Sequence, residues 1–224
     1  MFPNMTFLKG EKMKKKISFS GILAVSLLFI LQVAGILPTT EKNAPQQHTQ
    51  HSNGIAPSVL SIEKVNLDDP PRLKKIAVEN IRNVDGDTFA FYIHNKEFKL
   101  RLLMVDTPES VKPDLPIQPF GKEASSFTKN KLKNEDISIV FDKGQVKDKY
   151  GRYLAYVYTG DEMLQIALLK AGLGIVRYVN VGGDSYVDEL MKAQNFAQQK
   201  SLGVWHEKNY ISKKNNGYYQ YNVR

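Results

Sequence analysis

Two alternating runs, Phe89-Ala90-Phe91-Tyr92-Ile93 and Phe98-Lys99-Leu100-Arg101-Leu102, flank the polar break His94-Asn95-Lys96. Apolar side chains at every second position fit a strand with one buried face, and two such runs across a short polar break predict an antiparallel hairpin. Folding the chain about Asn95-Lys96 sets Ile93 opposite Phe98, Phe91 opposite Leu100 and Phe89 opposite Leu102. All six then share one face.

Carried outward, that register brings Asp87, at the start of the first strand, beside residues 104–106 at the end of the second. Asp87 and Asp106 therefore converge from distant positions, with Glu109 close behind in Val105-Asp106-Thr107-Pro108-Glu109. Carboxylate oxygens suit a hard cation, a further carboxylate can activate water, and the guanidinium of Arg101 can fork onto phosphate. Alternation points Arg101 to the opposite face, so a bulge, a strong twist or a barrel mouth is needed to bring it to the acids. Taken singly, either aspartate caps a turn as readily as it binds a metal, and a glutamate after proline is an ordinary surface residue. Convergence is what favours a site.

Residues 73–208 are expected to form one α+β domain. Strands are predicted over 76–84, in the two hairpin runs, over 137–141 and over 153–158; helices over 121–132, 163–171 and 186–199. The first helix should bury Ala124, Phe127, Lys131 and Leu132, and the last Val187, Leu190, Met191 and Phe196. Five strands and three helices in this order predict a small sheet closed, or nearly closed, on itself.

The flanks read differently. Lysines ending at Lys14-Lys15-Lys16 precede an apolar run over 22–31, the pattern of a secretory signal, with small residues Ala34 and Gly35 as a cleavage site. The stretch 17–37 also approaches the roughly 20 residues that span a bilayer, so residues 1–37 form either a signal peptide or a membrane anchor. Residues 38–72 are polar and irregular, a linker in this reading, and residues 209–224 form a polar, tyrosine-rich, loosely packed tail. The expected product is secreted, or held at the outer face of the membrane. Half of the net charge of +8 comes from Lys9, Lys12, Lys14, Lys15 and Lys16 against Glu11, which leaves the domain a surplus that fits a polyanionic substrate without demanding one. The absence of cysteine excludes disulfides, thiolate metal sites and a cysteine nucleophile, and no imidazole cluster for zinc suggests itself among His48, His51, His94 and His206.

Several separated motifs, in one order, resemble the staphylococcal nuclease (thermonuclease) family: Asp85-Gly86-Asp87-Thr88, Arg101-Leu102-Leu103, Val105 to Glu109, Phe141-Asp142-Lys143-Gly144-Gln145, Asp148-Lys149-Tyr150-Gly151-Arg152, Leu154-Ala155-Tyr156 and Trp205. The resemblance implies a five-stranded OB-fold barrel with three packed helices, and Ca²⁺-dependent hydrolysis of DNA and RNA to 3′-phosphate products. It implies Asp87, Asp106 and the main-chain carbonyl of Thr107 as calcium ligands, with open positions for water and phosphate. Glu109 becomes the general base or water-orienting group, and Arg101 and Arg152 the phosphate forks that stabilise the five-coordinate transition state. Lys149 and Tyr150 resemble contacts to the terminal phosphate, and Tyr178 an aromatic face for a nucleotide. The sequence departs from the pattern at Asn180, where a second tyrosine is expected, and in the proline-rich loop Val111 to Pro116. A noncatalytic OB-fold nucleic-acid-binding module, and a calcium-dependent structural exoprotein, are the alternatives. Neither has use for the full set of acids and arginines. Single strands are the favoured substrate, and nothing in the chain demands more than a monomer.

Overall fold

The computed structural model describes residues 59–111, 116–133 and 135–222. The segment 1–37, most of the expected linker and the centre of the loop after Val111 lie outside these residues. No helix among the described residues is long and apolar enough to cross a membrane.

The chain runs β1 (Leu60–Ser61), β2 (Ile76–Ala77), β3 (Ile81–Asn83), β4 (Thr88–Ile93), β5 (Lys96–Leu102), β6 (Val105–Asp106) and α1 (Gly121–Lys131). It continues through β7 (Ile137–Val140), β8 (Tyr153–Thr159), β9 (Glu162–Met163), α2 (Leu164–Lys170), β10 (Ile175–Val176), α3 (Val187–Gln199), β11 (Ile211–Lys213) and β12 (Tyr219–Tyr221). The main sheet follows the path β1-β2-β7-β8-β5-β4-β3, with β9 paired to β8. Apart from the short flanking β1, the path begins at β2 and finishes at β3, which are consecutive pieces of one stretch of chain. The sheet thus closes through a bent strand, the physical content of a five-stranded OB-fold barrel. The predicted single strand over 76–84 is split at this bend. Its first half pairs with β7 (Ile76 with Ile139), its second with β4 (Ile81 with Phe91), and the Val78 N–H between them still donates to the Ile137 carbonyl at 2.9 Å.

Inside the barrel Phe89, Phe91, Leu100, Ile139, Ala155 and Val157 are fully buried. The hairpin has the expected parity but a register displaced by two: Phe89 pairs with Leu100, Phe91 with Phe98 and Ile93 with Lys96. The cause is the turn. His94 and Asn95 both adopt left-handed conformations, with φ of 46° and 65°, which makes them the centre of a two-residue hairpin turn matched to the twist of the strands. Lys96 therefore begins the second strand rather than closing the turn.

Helix α1 buries Gly121, Ala124 and Thr128, so a threonine completes the stripe on which Lys131 was expected; Phe127 packs against the core from its edge. Helix α2 lies against β8 and α3, and its buried Gln165 bridges the barrel wall, accepting from the Val157 N–H at 3.1 Å and donating to the Ala155 carbonyl at 3.1 Å. In α3 the buried face is Leu190, Ala193, Gln194 and Ala197, leaving Phe196 exposed. These four residues recur at helical spacing and define the core-facing stripe, and Phe196 falls outside it.

Both flanks fold further than their composition suggests. Strand β1 pairs in parallel with β2, Ile62 is buried, and the Arg72 guanidinium donates to the carbonyls of Asp142 and Gly144 at 2.6 and 2.7 Å. The part of the expected linker from Leu60 to Arg72 is thus packed on the barrel. The expected loose tail forms the β11-β12 hairpin, in which Ile211 pairs with Tyr221 and Lys213 with Tyr219. Its Tyr210 and Tyr221 join a second apolar cluster with Ile175, Val204, Phe120 and Trp205.

Candidate active site

The site forms where β4, β5 and β6 meet on the outer face of the barrel. Arg101 pairs with Thr88 in the hairpin register, so parity does place it outside the core, as expected. The acids reach it through a turn rather than by extension of the hairpin. The Leu102 N–H donates to the Asp87 carbonyl at 2.9 Å, and the chain then reverses at Leu103-Met104, where Met104 has φ 60°. Strand β6 leaves the hairpin to pair with β10, Asp106 opposite Ile175.

The result is a compact set of charges. One guanidinium, Arg101, spans both acids: its Nη1 pairs with Asp87, and its Nη2 lies 2.5 Å from Asp106 Oδ1. Arg177, at the end of β10, donates from Nη1 to Asp106 Oδ2 at 2.8 Å. Asp87, Arg101 and Asp106 are all buried. The two negative charges thus face two positive ones in a place where an unpaired charge would be costly.

The backbone is equally constrained. The Thr107 N–H donates to Asp87 Oδ2 at 2.8 Å. Gly86 makes this approach possible, because a Cβ there would lie 2.5 Å from Thr107 Oγ1 and 3.0 Å from the Ala124 Cβ. Asp85, also buried, accepts from the Gly86 N–H at 2.8 Å and from the Ser110 hydroxyl at 2.5 Å, fixing the residue after Glu109. Glu109 is held through its own main chain: its N–H donates to Gln118 Oε1 at 3.2 Å and its carbonyl accepts from the Gln118 N–H at 3.0 Å.

Arg152 stands one residue before β8, whose parallel pairing sets Leu154 beside Arg101. Extending that register by one alternation puts Arg152 on the same face as Arg101, on the neighbouring strand. Asp148 organises its loop, accepting from Arg152 Nε at 2.7 Å and from the backbone N–H groups of Tyr150 and Arg152 at 2.9 and 3.0 Å. Lys149 Nζ and the Arg152 guanidinium lie 5.0 and 5.5 Å from the ring centre of Tyr150, which is 72% exposed. Tyr178, 57% exposed, carries the Arg177 guanidinium 4.7 Å from its ring centre. Its phenol is raised above the ordinary value by desolvation first and then by Asp106, with Glu109 acting in the same direction and the charges of Arg177 and Arg101 opposing. Asn180 is exposed and offers no ring.

Sequence patterning missed Arg177, Asp85 as a brace, and Gln118. Arg177 follows a two-residue strand, too short to show a period, and only its proximity to Tyr178 in sequence could have marked it.

Among known proteins, the chain matches the family of staphylococcal nuclease homologues over residues 99–207. It is 40% identical to the thermonuclease of Staphylococcus intermedius over 156 residues, covering 67% of this chain and 92% of that one. The chain belongs to the staphylococcal nuclease family. Other members of this family align comparably: the thermonuclease of Staphylococcus hyicus is 44% identical over 153 residues, 66% of this chain and 89% of its own. Endonuclease YncB of Bacillus subtilis is 33% identical over 175 residues, 77% of this chain and 82% of its own. The staphylococcal nuclease match takes in the end of β5 with Arg101, β6 and the Asp148 to Arg152 loop, while Asp87 and the C-terminal hairpin lie outside residues 99–207.

Proposed function

We propose that this nuclease, a hydrolase of phosphodiester bonds, is a Ca²⁺-dependent enzyme cleaving DNA and RNA to 3′-phosphate products, exported by its N-terminal segment. The observation that carries the calcium reading is the single guanidinium shared by Asp87 and Asp106. Two carboxylates that both reach one planar group lie close enough together to share one cation. The donors offered are hard oxygens: these carboxylates and the Thr107 main-chain carbonyl. Among the described residues no three acidic, histidine or cysteine side chains gather into a cage. A set with so few protein ligands suits a catalytic ion that also binds water and phosphate. When bound, Ca²⁺ supplies positive charge to the scissile phosphate and lowers the cost of generating hydroxide from water.

The chain's own groups account for the rest. Glu109, held in place through Gln118, orients the attacking water and takes its proton. Water oxygen bonds to phosphorus as the bond to the 5′ oxygen breaks, and that oxygen leaves as a hydroxyl by taking a proton from solvent, to which Glu109 returns the one it took. Arg101 in β5 and Arg152 just before β8 fork onto the phosphate oxygens as a fifth oxygen adds charge. Lys149 and Tyr150 meet the terminal phosphate, and Tyr178 offers its face to a base. Exposed rings accept any base that can unstack, which favours single strands. A monomer suffices for all of these roles.

Incubating the full chain with single-stranded DNA or RNA, with Ca²⁺ or with chelator, tests the proposal. Calcium-dependent fragments ending in 3′-phosphate are expected. Binding without cutting would favour a noncatalytic OB-fold module, and calcium binding with neither would favour a structural exoprotein.

A further inference from the structure

The peptide group between Asp106 and Thr107 joins two of the three donors assigned above to calcium, and it is held at both ends. Its N–H donates to the third donor, Asp87, at 2.8 Å. Its carbonyl oxygen accepts a hydrogen bond from the Tyr221 hydroxyl at 2.9 Å. Tyr221 comes from β12, 115 residues further along the chain, beyond the residues 99–207 that match the family.

We propose that the C-terminal hairpin is a built-in clamp for the metal site, with Tyr221 as a positioning residue that fixes the Asp106-Thr107 peptide and so presets Asp87, Asp106 and the Thr107 carbonyl for calcium. The proposal rests on the calcium reading of this site and adds a control on its affinity. Two points support it. First, the hairpin is anchored independently of the site: Tyr219 meets Trp205 edge-on at 5.0 Å, and Tyr210 stacks at a tilt on Tyr221 at 5.4 Å. The Asn222 N–H closes the base of the hairpin on the Tyr210 carbonyl at 2.8 Å. Tyr221 therefore approaches Asp106 from a rigid support. Second, donation to a peptide carbonyl polarises the whole group and strengthens its N–H as a donor. Tyr221 thereby tightens the bond to Asp87, which it does not touch.

The matched control is already present. Tyr210, in the same cluster, donates its hydroxyl to the Pro119 carbonyl at 3.0 Å, a bond of the same kind that does not reach the acids. In the full chain, Tyr221→Phe should weaken Ca²⁺ binding, measured by titration calorimetry without nucleic acid, by about tenfold, the usual order for losing a group that orients a metal ligand. Its cleavage rate should recover at high Ca²⁺ with an unchanged KM for a single-stranded oligonucleotide. Tyr210→Phe should lower the melting temperature comparably and leave Ca²⁺ affinity at the wild-type value. Asn222→Ala, which removes exposed bonds to Asn209 and Ser212 at the base of the hairpin, should shift Ca²⁺ affinity in the direction of Tyr221→Phe. It serves as the test if Tyr221→Phe does not fold. Wild-type affinity in Tyr221→Phe, or an equal loss in Tyr210→Phe, would overturn the clamp while leaving the nuclease intact. A wild-type chain that neither binds Ca²⁺ nor cuts would remove the reading beneath it.

Discussion

Replacing Gly86 with alanine puts one methyl group into the tightest contact of the site. The new Cβ would lie 2.5 Å from Thr107 Oγ1 and 3.0 Å from both Thr107 Cβ and Ala124 Cβ, so restoring ordinary van der Waals distance needs a shift approaching 1 Å. Gly86 does not sit at a positive φ, and alanine there gains about 0.4–1 kcal/mol by restricting the unfolded chain. Overpacking costs about 1–3 kcal/mol, leaving a net destabilisation of about 1–2 kcal/mol. The displaced part is Thr107, whose N–H holds Asp87, and a misplacement of about 1 Å at a catalytic set can lower kcat by roughly a hundredfold. Denaturant unfolding and single-turnover cleavage measure the two effects separately. A Thr107→Ala substitution keeps the main-chain carbonyl but removes the nearest atom, so the double variant should recover part of both losses. Gly86→Ala with unchanged or raised stability and wild-type turnover would refute the close approach on which the site is built.

Glu109→Gln should retain Ca²⁺ and substrate binding and lose about 10²–10⁴ in turnover; wild-type cleavage would remove Glu109 from its role. Arg101→Ala should bind Ca²⁺ more tightly, because the carboxylates lose a competing cation, yet cut more slowly by about 3–4 kcal/mol of transition-state stabilisation. Parallel calorimetry and kinetics separate the two effects, and weaker calcium binding would contradict the competition. At Asp142 burial alone would raise the carboxyl, but bonds from Ser185 and Tyr156 outweigh it and hold the group below the usual range. Its contribution to stability is therefore complete above the unfolded value of about 4 and disappears as pH falls through the lower folded value. Thermal melts of Asp142→Asn should accordingly be less stable than wild type at neutral pH, with the difference shrinking on acidification.

The barrel was legible where side chains alternate over long runs. Phe89, Phe91 and Leu100 announced their strands and shared face, whereas the turn did not, since a three-residue polar break allows two centres and only backbone conformation chooses His94-Asn95. Asp87 and Asp106 could be expected to meet, but the route through a reversal at Met104 leaves no periodic trace. Short elements were the general blind spot. Strand β10 delivers Arg177 from two residues, and β11 and β12 have three each, so Ile211, Tyr219 and Tyr221 alternate too briefly to stand out from a polar tail. Leu60 to Arg72 was hidden in the same way: two paired residues and one buried isoleucine fold a stretch whose composition reads as linker.

The proposed calcium site requires the carboxylates of Asp87 and Asp106 to act together. Calorimetric titration of wild type, Asp87→Asn and Asp106→Asn with Ca²⁺ tests this directly. One ion per wild-type chain, with binding lost in either variant alone, is the predicted result. Undiminished calcium binding in both single variants, or binding in the wild type that survives the double substitution, would contradict it.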